Sequence, residues 1–277
     1  MFKEPILKDQ IAVITGGGTG LGKEMAIQFA EQGARIVIAS RKMEHLETGK
    51  QEIEKSGTEV MIYQLDIREP AKVEALCNAV VDKFGKVDIL VNNAAGNFIY
   101  PTEKLPIAGW KAVIDIVLNG SFYCSQIFGN QMIRQKNGQI LNILATYAWM
   151  GGPGTIHSAC AKAGVLAMTR TMAVEWARYG IRVNAIAPGP FETTGASERL
   201  WPVEEVRQAI LKDIPLGRFT TTEEVAQAAL YLVSPYASYI NGECLVIDGA
   251  AWLGRGIIQS EGLIEKFSNL RSAKKKS

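Results

Sequence analysis

Short apolar runs rich in valine and isoleucine recur along the chain at 11–15, 34–39, 60–65, 87–92, 139–144, 181–186 and 243–247. Each has the length of a strand, and most are apolar at nearly every position, the mark of a strand covered on both faces. Between them, 21–32, 43–56, 70–84, 105–135 and 157–179 repeat their apolar residues at the period of an amphipathic helix. Strand and helix alternate through most of the chain. That order predicts an α/β fold with a doubly wound, parallel, seven-stranded sheet and helices on both sides.

Composition adds bounds rather than direction. The 277 residues leave room for one or two domains, but no linker, repeat or low-complexity tract interrupts the pattern before the final basic run. A single domain is expected over 1–270, with a basic tail at 271–277. The net charge of +2 comes from that tail: Arg271, Lys274, Lys275 and Lys276 lie in it, and 1–270 carry 26 basic against 28 acidic groups. No global field recruits nucleic acid or an anionic membrane, so neither is an expected partner, and any phosphate must be held by placed groups. The apolar runs are too short for a membrane span of about 20 residues. The first ten residues carry Lys3, Glu4, Lys8 and Asp9 and no apolar signal core, which points to a cytoplasmic enzyme. Cys77, Cys124, Cys160 and Cys244 are widely spaced and the only histidines are His45 and His157. Reduced structural thiols are expected, and no metal site.

The first strand runs straight into Thr15-Gly-Gly-Gly-Thr-Gly-Leu-Gly22, and a helix follows at once. Strand, glycine turn and helix in that order form a pyrophosphate cradle of Rossmann type, with Gly16, Thr19, Gly20, Leu21 and Gly22 as candidate cofactor contacts. The second strand ends in Ala39-Ser40-Arg41-Lys42, without the acidic residue that would accept a ribose 2′-hydroxyl. Arg41 and Lys42, with Ser40 beside them, suit a 2′-phosphate, so NADP(H) is the expected cofactor.

The T-G-x-x-x-G-x-G spacing resembles the short-chain dehydrogenase/reductase family. So do Asp66 after the third strand, Asn92-Asn-Ala-Ala-Gly-Asn-Phe98 after the fourth and Pro188-Gly-Pro-Phe-Glu-Thr193 after the sixth. The resemblance covers roughly 8–253. It implies that Asp66 and Ile67 line the adenine, that Asn93, Ala94 and Ala95 back the ribose, and that Pro188, Gly189, Phe191 and Thr193 hold the nicotinamide end.

Most of that family carries Tyr-x-x-x-Lys on the helix after the fifth strand, with a serine 13 residues before the tyrosine. Here Lys162 is present, but Ser158 stands at the tyrosine position and Ala145 at the serine position. A phenol is still available from Tyr147, just past the fifth strand on the ligand-binding edge. This arrangement, with Asp115-Ile-Val-Leu-Asn-Gly120 and Ser158-Ala-Cys-Ala-Lys-Ala-Gly164, resembles the 2,4-dienoyl-CoA reductase branch of the family. The resemblance implies that Tyr147 and Asn97 hydrogen-bond a thioester carbonyl, that Ser158 assists, that Lys162 binds the nicotinamide ribose and that Asn119 stands at the proton-relay position. Reduction of the dienoyl thioester would then yield a 3-enoyl-CoA.

An acyl-CoA is thus the expected substrate. Residues 195–214, inserted before the final helix, are expected to form a small helical lid over it. Phe98 and the pair Trp149-Met150 are candidates to line its acyl slot, and Arg68 and Arg199 to meet the CoA phosphates. His157, without an acidic partner at readable spacing, is expected to be structural. The two long helices carry more apolar surface than one sheet face buries, which together with the resemblance implies a homotetramer. Three rival readings stand beside this one. A 3-oxoacyl thioester ketoreductase needs Tyr147 as a true proton donor. An enoyl thioester reductase of the fatty-synthesis type carries a tyrosine where this chain has Thr155. A non-catalytic NADP-binding regulator predicts binding without turnover.

Overall fold

The structure, a computed structural model, describes residues 4–191 and 204–254. Its seven strands are β1 Ile11–Thr15, β2 Arg35–Ser40, β3 Val60–Gln64, β4 Ile89–Asn92, β5 Gly138–Ile143, β6 Ile181–Pro188 and β7 Cys244–Ile247. They form one parallel sheet in the order β3-β2-β1-β4-β5-β6-β7. The predicted doubly wound, single-domain fold is what the chain adopts. The winding reverses between β1 and β4, and that reversal opens a crevice at the carboxyl ends of the strands.

Period-two alternation divides the core. Within β1, Ile11 and Val13 point into one apolar layer while Ala12 and Ile14 point into the other. The first layer lies under α3 (Pro70–Phe84), α5 (Gly120–Gln135) and α6 (Ile156–Trp176). The second lies under α1 (Gly20–Glu31), α2 (Met43–Ile53) and α8 (Thr222–Val233). Phe29 and Phe128, one in each layer, are fully buried. Burial of one such side chain stabilises the fold by about 1.5–3 kcal/mol.

The predicted long helix over 105–135 forms as one continuous helical run over 107–135 whose winding changes partway. A 3-10 turn occupies Thr102–Lys104, α4 runs Ile107–Ile114, and a π-helical stretch at Asp115–Asn119 leads into α5. The apolar pattern continues through the junction, so periodicity alone does not reveal the change of winding. Of the insertion before α8, the described part is α7 (Glu204–Lys212) and the loop after it. The expected positions Thr193 and Arg199, the first part of the lid and the basic tail lie outside the described residues. Among the described residues no helix is long and apolar enough to cross a membrane.

Candidate active site

A cavity of about 770 Å³ occupies the crevice. The sheet order divides its lining. Groups at the ends of β1, β2 and β3 lie on one side, and groups following β5, β6 and β7 on the other.

On the first side the chain leaves β1 at Thr15 and turns through Gly16, whose φ of +65° is left-handed. A Cβ on Gly22 would stand 2.4 Å from the Gly16 carbonyl oxygen, so only glycine lets the turn fold back this tightly. The following loop braces it: Asn93 Nδ2 donates to Thr15 O at 3.0 Å, and Thr15 Oγ1 accepts the backbone N–H groups of Asn93 and Ala94, both at 3.0 Å. Helix α1 then begins without a cap. Thr19 makes no side-chain cap bond and the first turn holds no acid. By contrast, α8 carries a complete capping box between Thr221 and Glu224. The free N–H groups of α1 and the positive end of its dipole face the cavity through Gly20, Leu21 and Gly22. An anion such as a pyrophosphate satisfies both.

Ser40, Arg41 and Lys42 line the same side. Arg41 and Lys42 are exposed, and among the described residues neither side chain has a hydrogen-bond or ion-pair partner. Asp66, Ile67, Asn93, Ala94 and Ala95 complete this side, and Pro188, Gly189 and Phe191 follow β6. An uncapped helix, a cradle that a Cβ would fill and two uncommitted cations fit a phosphorylated dinucleotide. Arg68 is committed elsewhere. Its Nε lies 3.0 Å from both Asp66 oxygens, and that bond holds the Asp66 carboxyl below the usual range. Arg68 does not line the cavity.

On the other side, a 3-10 turn at Thr146–Ala148 carries Tyr147 into the cavity. Tyr147 Oη lies 3.1 Å from Ser158 Oγ on α6 and 3.5 Å from Asn97 Nδ2. Asn97 is held in turn by its Oδ1, which accepts the Phe98 N–H at 2.9 Å. Burial pushes the Tyr147 pKa up, and the bonds to Ser158 and Asn97 oppose that shift without reversing it. The phenol keeps its proton. With Ser158 able to donate to it, Tyr147 can donate onward to a ligand oxygen beside the Asn97 amide.

Lys162 is buried on α6 and lines the cavity, and its Nζ donates to the Ile143 carbonyl. Burial lowers its pKa to about 8. It forms no bond with Tyr147, so the two do not make a couple that would ionise the phenol. The site offers two neutral donors side by side, the kind of groups that stabilise an oxyanion.

Three expected site residues lie elsewhere. Asn119 closes the π-helical stretch and donates to Asp115 Oδ1 at 2.9 Å, outside the cavity lining. Phe98 packs edge-on against His157 at 4.4 Å, and the adjacent Ile99 faces the cavity instead. Trp149 packs on Trp252 at 5.6 Å, and of the expected pair only Met150 lines the cavity. His157 is fully buried, in keeping with a structural role.

The sequence reading missed Trp252 and a buried polar chain. Asn92 Nδ2 donates to Ser125 Oγ and Asn142 Oδ1, and Asn142 Nδ2 donates to Thr169 Oγ1, all at 2.8 Å. This chain ties α5 and α6 to β4 and β5, and so fixes the helix that bears Ser158 and Lys162. Its signal was one asparagine in each of two otherwise apolar strands.

The family described as Enoyl-(Acyl carrier protein) reductase matches residues 16–250. A probable 2,4-dienoyl-CoA reductase [(2E)-enoyl-CoA-producing] of Bacillus subtilis (strain 168) is 50% identical over 249 residues, 89% of this chain and 98% of that protein. The peroxisomal 2,4-dienoyl-CoA reductase [(3E)-enoyl-CoA-producing] of Rattus norvegicus is 38% identical over 254 residues, 91% of this chain and 87% of that protein. Among solved structures, a short chain dehydrogenase from Bacillus anthracis superposes with a TM-score of 0.85 at 50% identity, covering 91% of this chain and 99% of that one.

Proposed function

This chain belongs to the short-chain dehydrogenase/reductase family, and from that premise we propose that it is an NADPH-dependent 2,4-dienoyl-CoA reductase serving auxiliary fatty-acid β-oxidation. One observation carries the reading: Tyr147 reaches Ser158, the position from which the family's usual tyrosine is missing, and meets Asn97 there. The relatives named 2,4-dienoyl-CoA reductases support the same substrate.

The glycine turn, Arg41, Lys42 and Lys162 would hold the nicotinamide cofactor, which would supply a hydride for the far end of the conjugated diene. The protein's part is to hold the negative charge that moves to the thioester oxygen. Tyr147 O–H and Asn97 N–H donate to that oxygen, and one such donor contributes roughly 3–4 kcal/mol to the transition state. The resulting dienolate takes a proton on carbon from water, and an enoyl thioester leaves. No side-chain acid is needed, which accounts for a phenol whose pKa is raised. A ketoreductase requires a phenol poised to give its proton to an alkoxide, and the absence of a Lys162–Tyr147 bond speaks against it. The fatty-synthesis rival requires a phenol where Thr155 binds Gly152 O at 2.9 Å. Phe122 and Val174 stand exposed on α5 and α6, which supports burial of those helices in a homotetramer.

The test is the loss of reduced-cofactor absorbance with 2,4-hexadienoyl-CoA. Oxidation of NADPH is expected, with NADH slower by about tenfold or more for want of the 2′-phosphate. Equal turnover of acetoacetyl-CoA would move the assignment to a ketoreductase. Tight NADPH binding with no turnover of any thioester would move it to a regulator.

A further inference from the structure

The turn after β7 is built to present one side chain to the cavity. Ala250 adopts φ +69°, a left-handed conformation that costs a non-glycine residue about 1–2 kcal/mol. Backbone strain of this kind persists where the surroundings hold it in place. Here the buried Asp248 supplies the hold: its carbonyl accepts the Ala251 N–H at 3.2 Å and its carboxylate accepts the Trp252 N–H at 2.8 Å. The Ala250 carbonyl then accepts the N–H groups of Leu253 and Gly254, both at 3.1 Å. Trp252 is thereby pinned in the cavity wall, while the next residue, Leu253, is left exposed.

The indole of Trp252 is held by one ring contact and by the anchoring of the turn that carries it. Its ring meets that of Trp149 at 5.6 Å and 81°, an edge-to-face contact, and Trp149 sits two residues beyond Tyr147. Within the turn, the Gly249 carbonyl accepts the Leu216 N–H at 3.4 Å, which joins the turn to the loop following α7. Ile214 from that loop and Ile210 from α7 share the apolar lining with Trp252 and Met150. A large, rigid aromatic is thus fixed on the apolar side of the cavity, between the Tyr147 turn and the base of α7.

We propose that Trp252, braced by Trp149, is the specificity-determining wall of the acyl slot and sets the length of acyl chain that the site accepts. The proposal rests on the dienoyl thioester reading above. A chain short enough to end against the indole buries its terminal carbons on that face, and a longer one must displace it. In a hydrophobic pocket a single methylene changes kcat/KM by about 10- to 200-fold, so removal of the indole changes discrimination strongly.

The experiment measures kcat/KM for 2,4-hexadienoyl-, octadienoyl-, decadienoyl- and dodecadienoyl-CoA with wild type, Trp252→Ala, Trp252→Leu and Trp149→Ala. Trp252→Ala is expected to shift the decadienoyl-to-hexadienoyl ratio by about tenfold or more toward the longer chain. Trp252→Leu and Trp149→Ala are expected to shift it in the same direction by less. Should Trp252→Ala fail to fold, as judged by its melting transition, the leucine variant carries the test. An unchanged ratio in the folded variants overturns the proposal and leaves the assignment as a reductase intact. So does a tenfold loss of NADPH affinity that accounts for the change, because it would place Trp252 at the cofactor. No wild-type turnover of any dienoyl-CoA overturns the assignment and this proposal together.

Discussion

The two sides of the cavity are built by different means. The pyrophosphate cradle of the proposed dinucleotide side is a contiguous piece of chain: strand, glycine turn and uncapped helix follow one another within Ile11–Thr15 and Gly20–Glu31, with one further loop as a brace, and Ser40, Arg41, Lys42, Asp66 and Ile67 join it from the ends of β2 and β3. The acyl side is assembled from Asn97, Tyr147, Ser158, Ile214 and Trp252, which lie far apart in sequence and converge only in the fold. Backbone groups dominate the first side, and side-chain donors and apolar walls dominate the second. A cofactor cradle made of backbone depends on steric room. A substrate site made of side chains can be rebuilt one residue at a time, and its substitutions should change chemistry or selectivity without unseating the cofactor.

The sharpest way to break this contrast is Gly22→Ala. Its Cβ would fall 2.4 Å from the Gly16 oxygen and 2.5 Å from Asn93 Nδ2, and backbone cannot give way as a flexible side chain would. NADPH binding by fluorescence titration is expected to weaken by about a hundredfold or more, with the apolar side unaltered. A variant that still binds NADPH normally would mean that the turn is looser than described.

Arg41→Ala probes side-chain recognition within the backbone-built half. Loss of a charge-assisted bond to a 2′-phosphate costs about 1.5–3 kcal/mol, so NADPH affinity should fall about 10- to 100-fold while NADH affinity stays within about twofold. Equal losses for both cofactors would refute the assigned preference.

The smallest effect concerns Lys162, which lies between the halves. Its folded pKa of about 8 is below the ordinary lysine value of 10.5, so between those values the unfolded chain holds the extra proton and stability rises with pH. Below about pH 8 the cost of burying the charge is fully present. Lys162→Met should therefore raise stability at pH 7 by roughly 1–3 kcal/mol, and should remove the rise between pH 8 and 10.5. Chemical denaturation of both proteins across that range checks the sign. A destabilised variant at pH 7 would show that the ammonium contributes more through its bond to Ile143 than its burial costs.

The same contrast explains what could be read before the fold was known. Buried strands are apolar throughout and helices carry a 3.6-residue stripe, so the sheet and its order of elements were legible, as was the contiguous glycine turn. Tyr147 was legible because it directly follows a strand that ends on the ligand edge. The acyl lining was harder. Phe98 was expected in the cavity and Ile99 faces it, and of the expected pair Trp149-Met150 only Met150 lines it. Each miss is a single step along the chain. In an irregular loop, tertiary contacts with His157 and Trp252 decide which neighbour turns inward, and no period records that choice. Trp252 itself depends on a left-handed alanine and a carboxylate four residues earlier, a geometry that composition does not reveal.

The central claim is that Tyr147 serves as a neutral oxyanion donor on the acyl side. The direct measurement is steady-state NADPH oxidation with 2,4-hexadienoyl-CoA by Tyr147→Phe, alongside NADPH affinity of the same protein. The account predicts a kcat lower by about 10²–10³ with NADPH affinity unchanged, the signature of a donor lost from the transition state alone. A Tyr147→Phe enzyme with wild-type kcat would contradict it.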